Sequence, residues 1–138
     1  MILEIANRII ELMKADEAFK DIKKYDTNVP GDEANISAKN ILCNVVKTTT
    51  ELNKECADNV FDESFFYDVV FTWKSAEYKT HEMYAFEEAF TNLIKNNRKL
   101  GLSFDTAVTL VSPGENYISK GSTSITRLII TIKVRVLV

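Results

Sequence analysis

The stretch from residue 64 to residue 73 constrains the fold of this chain most. Every second position carries a ring or a β-branched side chain, and these positions are Phe65, Tyr67, Val69, Phe71 and Trp73. Side chains of a strand point alternately to the two faces of a sheet, so the pattern predicts a strand with one strongly apolar face. Because such a face must be covered, we expect this strand in the middle of a sheet that is packed under helices.

An amphipathic helix is predicted directly after this strand, over residues 81–100. Its apolar positions recur three and four residues apart, and they are Met83, Phe86, Phe90, Leu93, Ile94 and Leu100. Thr80 is a suitable N-cap, and Glu82 lies in the first turn, where the helix dipole favours an anion. We expect Gly101 to end the helix, since glycine adopts a positive φ at little cost.

A first helix is predicted over residues 2–24. Its apolar stripe consists of Ile2, Ile5, Ile9 and Leu12. The period weakens near Asp16, which can cap a fresh turn that carries Phe19 and Ile22. A kinked helix and two separate helices are therefore both open.

Three further strands are predicted from β-branched residues, over residues 41–50, 106–111 and 124–138. Polar segments rich in turn residues predict loops over residues 25–39, 51–63 and 112–122. The element order is then α-β-β-α-β-β. This order favours one α+β domain over residues 1–138, with a mostly antiparallel sheet of about four strands and two helices packed on one face.

The charge and the rare residues exclude several functions. A formal net charge of -3 argues against a general nucleic-acid binder, which needs surplus cations. Cys43 and Cys56 are expected to be free thiols, Cys43 as a small buried residue and Cys56 on the surface. His81 is the only histidine, and at the start of a helix it is a poor candidate for a general base. We therefore predict no catalytic, metal or cofactor site.

A row of cations marks the outward face of the last strand. It consists of Arg127, Lys133 and Arg135. A solvated sheet face, or an edge protected by charge, explains this row as well as contact with a partner does. Tyr117 and Lys120 lie in the predicted loop before the strand. These five residues are the candidate subunit or partner interface.

Several local segments are informative together with the element order. They are KADEAFKDI at the end of the first helix, NVPGDE in the next loop, FFYDVVFTWK with MYAFEEAFTNLIKNNRKL, and the closing RLIITIKVRV. In these features the chain resembles the small tail-terminator and tail-completion proteins of long-tailed phages. One departure is clear. Residues 37–40 stand where those families usually carry a Pro-Tyr pair at the start of the first sheet strand.

The resemblance implies a structural virion protein without enzyme activity or cofactor. Such proteins form a ring, usually a hexamer, that caps the tail tube, ends its polymerisation and joins the tail to the head connector. The implied partners are copies of the chain, the tail tube protein and head-tail connector proteins. DNA would pass through the ring without sequence-specific recognition, and no membrane is involved. The implied location is the virion tail, with assembly in the host cytoplasm. As a hypothesis, Lys133 and Arg135 face the ring lumen or a neighbouring subunit.

Two other classes of function remain open from the residues alone. A small cytoplasmic enzyme would form its site between subunits and would need Asp68 or His81 to line a pocket. A peptide-binding adaptor would take an extended segment by strand addition at a sheet edge. The size of the assembly separates these classes from the structural one, because only the structural protein requires a ring of several copies.

Overall fold

The computed structural model describes residues 1–30, 41–55, 61–74, 80–111, 115–119 and 125–137. Two helices, a single turn of 3-10 helix at Glu17–Phe19 and six strands occur in these ranges. The helices are α1 (Ile2–Lys14) and α2 (Thr80–Asn96). The strands are β1 (Ile22–Asp26), β2 (Ile41–Glu55), β3 (Phe61–Lys74), β4 (Asp105–Leu110), β5 (Glu115–Ser119) and β6 (Ile125–Leu137).

The six strands form one sheet, in which five follow the order β1-β2-β3-β6-β4 and β5 pairs with β6. One edge of β6 pairs with β3 along the whole of β6. β5 and β4 therefore pair with the opposite edge, one after the other along β6. β1 runs parallel to β2, and every other described pair is antiparallel. The predicted α+β class with two helices is confirmed. The prediction of about four strands in a mostly antiparallel sheet is only partly right, since the sheet is mixed and has two more strands.

Both helices cover the same face of the sheet. The hydroxyl of Tyr67 donates a 2.7 Å hydrogen bond to the carbonyl of Ile2 at the start of α1. The ring of Phe71 stacks on Phe86 of α2, with 5.3 Å between the centroids, and also on Phe19 of the 3-10 turn. Tyr67 and Phe71 project from the same side of β3, so we call this side the inner face and the opposite side the outer face. The apolar positions predicted for β3 are buried on the inner face as expected, and so are alternate residues of β6 from Leu128 to Val136.

The first helix is shorter than predicted, and a strand follows it. α1 ends at Lys14, and Asp16 then caps the 3-10 turn by accepting a 3.0 Å hydrogen bond from the amide of Ala18. The chain therefore breaks at Asp16 as expected, but a single 3-10 turn and not a second helix follows the break. β1 replaces the predicted end of the helix and the beginning of the predicted loop 25–39. Only Ile22 of β1 is fully buried, so the sequence shows no alternation there that could indicate a strand.

The second helix also ends early, at Asn96 rather than at residue 100. Gly101 has the expected positive φ of 71°. It lies in the segment after the helix, however, and does not end the helix. In that segment the carbonyl of Leu100 accepts a 2.8 Å hydrogen bond from Arg8 Nε. The amide of Leu100 donates a 3.0 Å hydrogen bond to Thr106 Oγ1. These two bonds hold the buried Leu100 side chain in the core without a continuing helix.

Two predicted loops are wrong because they contain strand. β2 continues to Glu55 and β3 begins at Phe61, so most of the predicted loop 51–63 is a long hairpin. β5 lies inside the predicted loop 112–122. Cys56, Lys120 and Val138 lie outside the described residues.

The bulges of β2 explain why its second half does not look like a strand. Between Lys47 and Thr50, three steps along β2 match two steps along β3, and a second bulge lies between Leu52 and Lys54. Each bulge adds one unpaired residue and shifts the alternation of side chains by one position. The sequence of β2 therefore loses the period of two beyond Lys47.

Candidate interaction surface

The outer face of the sheet is the candidate interaction surface, because no described helix packs on it. It is formed by alternate residues of the three central strands. They are Leu42, Asn44, Val46, Thr48 and, beyond the first bulge, Glu51 of β2, Asp62, Ser64, Phe66, Asp68, Val70 and Thr72 of β3, and Arg127, Ile129, Thr131, Lys133, Arg135 and Leu137 of β6. The surface therefore mixes aliphatic side chains with charges of both signs.

Arg135 and Asp62 form a close charged contact on this surface. Arg135 Nε lies 2.9 Å from Asp62 Oδ1, and Arg135 Nη2 lies 2.5 Å from Asp62 Oδ2. This two-point geometry fits a guanidinium to a carboxylate in a fixed orientation. The Asp62 side chain is only 5% exposed, whereas that of Arg135 is 54% exposed. Arg135 thus neutralises a buried carboxylate and still presents half of its surface to solvent.

Lys133 is held more loosely. Its Nζ lies 3.9 Å from Glu51 Oε2 and 5.6 Å from the centroid of the Phe66 ring. The first bulge of β2 places Glu51 opposite Ser64, so the Glu51 side chain lies on the outer face. Lys133 and Arg135 therefore both have an acidic partner in the same chain. The sequence could not indicate the Glu51 contact, because the predicted strand ended at residue 50.

A hollow of about 290 Å³ lies at the other end of the outer face. Its lining residues are Val29, Pro30, Val46, Thr48, Asp68, Val70, Arg127 and Ile129. Asp68 Oδ1 accepts a 2.7 Å hydrogen bond from Thr131 Oγ1, which fixes the carboxylate at the side of the hollow. The hollow thus combines an aliphatic floor with one acid and one guanidinium.

The segment after β1 forms a wall of this hollow. Asp26 Oδ1 accepts hydrogen bonds from the amides of Thr27 and Asn28, a turn that redirects the chain. Asn44 Nδ2 then donates a 2.9 Å hydrogen bond to the carbonyl of Asn28, and this bond fixes the segment over the outer face. Val29 and Pro30 reach the hollow for this reason.

The predicted interface cations of β6 do not form one patch. Arg127 lies in the hollow, whereas Arg135 is eight residues further along β6, about 27 Å away at the usual rise of a strand. The backbone of Tyr117 pairs with that of Arg127 between β5 and β6.

The two residues proposed for an enzyme site lie on opposite sides of the sheet. Asp68 lines the hollow of the outer face, and His81 is exposed in the first turn of α2 over the inner face. They cannot line one pocket within a chain. Cys43 is fully buried, as expected, and burial raises the pKa of its thiol far above the ordinary value.

The described residues contain no group of three or more His, Cys, Asp or Glu side chains that could hold a metal ion. In the same part of the chain, no helix has the length and apolar character needed to cross a membrane.

The comparisons with known proteins concern the fold. No protein-family model matches the chain, and no curated protein matches it in sequence. The sheath/tube terminator, in its extended state, of the extracellular contractile injection system PVC matches with a TM-score of 0.65 and 13% identity. That match covers 100% of this chain, which spans only 56% of the terminator's length. A chain from the virion of the native gene transfer agent particle matches with a TM-score of 0.60 and 11% identity, over 98% of this chain and 97% of that one.

These matches agree with the fold expected from the resemblance to phage tail terminators. At 11% and 13% identity they establish a shared architecture. The chain is therefore similar in fold to a sheath/tube terminator and to a chain of a gene transfer agent virion.

Proposed function

We propose that this chain is a structural protein of a phage-like tail, and that several copies form a ring on the end of the tail tube. The observation that carries the proposal is the match of the whole chain to a sheath/tube terminator. The second match, to a chain of a gene transfer agent virion, covers nearly the full length of both chains and supports the same setting.

In this proposal the ring, a hexamer as in the resembling families, stops tube polymerisation and presents a surface to the head connector. Its location is the virion tail, after assembly in the host cytoplasm. The protein acts by shape and not by catalysis, and DNA passes through the ring. The outer face supports this role, since a cyclic assembly needs an interaction surface that is left free in the monomer.

The ring is tested by measuring mass and shape in solution. We expect native mass spectrometry to give one multimer, with six copies as the predicted number, and negative-stain images to show closed rings. The capping role is tested by adding the protein to polymerising tail tube protein of the same virus. We expect shorter tubes with added density at one end only.

A matched control uses the loosely held pair of the outer face. Lys133→Glu places a second acid beside Glu51, whereas Lys133→Glu combined with Glu51→Lys restores the pair inside the chain. If Lys133 contacts a partner, the double variant restores the ion pair between positions 51 and 133 but not the partner contact. Capping then stays weak. Full recovery of capping in the double variant would show that Lys133 only stabilises the chain. A monomer that never binds tube ends would contradict the proposed function.

A further inference from the structure

One side of α2 carries an exposed aromatic ring among carboxylates. Tyr84 is 56% exposed, although its neighbours Met83 and Phe86 are buried in the core. Glu87 and Glu88 lie three and four residues further on, so their side chains share the helix surface with Tyr84. Tyrosine supplies a large rigid surface with a hydroxyl at its tip, and it is enriched among the residues that dominate the energy of protein interfaces.

The hollow of the outer face has the complementary chemistry. Its aliphatic residues Val70 and Ile129 can pack against a ring, and the Asp68 carboxylate can accept a hydrogen bond from a phenol. Arg127 at its side matches a carboxylate. A volume of about 290 Å³ is at the small end of ligand pockets, and this size suits one large side chain better than a cofactor.

The two surfaces lie on opposite sides of the sheet, because α2 covers the inner face and the hollow opens on the outer face. A chain cannot bring its own Tyr84 into its own hollow. When two copies make the contact, each keeps one of the two surfaces free for a further copy. Such a head-to-tail contact produces a ring if the rotation closes.

We propose that α2 of one copy lies on the outer face of the next copy, with Tyr84 in the hollow beside Asp68 and with Glu87 and Glu88 towards Arg127. The proposal rests on the ring of the proposed function and names the surfaces that would close it. The occupant of the hollow is thus a second copy of this chain.

Crosslinking between two single-cysteine variants tests the contact directly. Ala85 and Thr48 are both exposed, one beside Tyr84 on α2 and one at the hollow, so cysteine is tolerated at either position. In a Cys56→Ser background, Ala85→Cys protein is mixed with Thr48→Cys protein and treated with a short bismaleimide. We expect a crosslinked dimer from the mixture and none from either variant alone. Glu4→Cys, exposed on α1, replaces Ala85→Cys in the control mixture and should give no dimer.

The affinity of self-association supplies a second test that does not depend on cysteine. Tyr84→Ala should weaken association about thirtyfold, as expected for a central aromatic anchor. Tyr84→Phe, which loses only the hydroxyl, should weaken it about fivefold. Tyr84 is exposed, so both variants should keep the far-ultraviolet spectrum and thermal stability of the parent chain.

The results separate this contact from the ring itself. Rings that form with unchanged affinity in Tyr84→Ala, and without a crosslink between positions 85 and 48, would overturn the contact and leave the ring standing. A chain that stays monomeric at all concentrations would overturn both.

Discussion

Replacing Arg135 with methionine removes the guanidinium and keeps most of the side-chain stem. The Asp62 carboxylate, only 5% exposed, then loses two hydrogen bonds of 2.9 Å and 2.5 Å. Removing one partner of a fully buried ion pair costs about 3–5 kcal/mol. Arg135 is half exposed and Asp62 keeps other interactions, so we expect a smaller loss of about 2 kcal/mol in the free energy of unfolding.

Urea unfolding measures this loss, with the fluorescence of the buried Trp73 as the signal. At a slope of about 2 kcal/mol/M, the midpoint should fall by about 1 M. Lys133→Met is the matched control, because Lys133 lies on the same strand and face but pairs with the exposed carboxylate of Glu51, over 3.9 Å. Its expected loss is about 0.5 kcal/mol, a shift of about 0.25 M.

A double-mutant cycle isolates the pair itself. Asp62→Asn, Arg135→Met and the double variant should give a coupling energy of about 1.5–2 kcal/mol. Equal midpoint shifts for Arg135→Met and Lys133→Met, or a coupling energy near zero, would refute the assignment of the Asp62 contact as a stabilising one. The result also bears on interface tests, since a charge reversal at Arg135 would disturb the fold before it disturbed any partner contact.

Three further predictions concern buried groups. Tyr67→Phe should lower the free energy of unfolding by about 1 kcal/mol in urea, because the carbonyl of Ile2 loses its 2.7 Å hydrogen bond. Cys43 should react with a thiol reagent only at the rate of unfolding, and fast labelling of the folded chain at Cys43 would contradict its burial. Burial, with a smaller contribution from Cys43, raises the pKa of Tyr25 from 10.0 to about 12. The stability that Tyr25 contributes is therefore complete below pH 10 and is lost as the pH rises towards 12, and Tyr25→Phe should flatten this decline in alkaline unfolding curves.

The elements that the sequence predicts well are those with one continuous buried face. β3 and β6 alternate without a bulge in their mutual pairing, so a period of two is visible in each. α2 shows its buried stripe because helix spacing is kept from Met83 to Ile94. Tertiary hydrogen bonds, and not the periodicity of the helix, bring Leu100 into the core beyond Asn96.

The parts that the sequence does not predict depend on contacts between distant residues. β1 has one fully buried side chain, and its strand conformation comes from pairing with β2. Three cations lie on one face of β6 as expected, and they are Arg127, Lys133 and Arg135. The sequence gives no sign of the contact between Arg135 and Asp62, because the two residues are 73 positions apart along the chain. The hollow likewise needs residues 27–30 to fold back over Val46 and Val70, which no local pattern encodes.

The bulge between Lys47 and Thr50 takes up one extra residue of β2, and the far end of the β2–β3 hairpin stays in register with β3. Deleting Thr49 should therefore give a regular ladder with Glu51 still opposite Ser64 on the outer face, while β3 and β6 keep their own pairing. The bulge is thus a place where β2 can lose one residue without exchanging the side chains that the hairpin beyond it shows on either face.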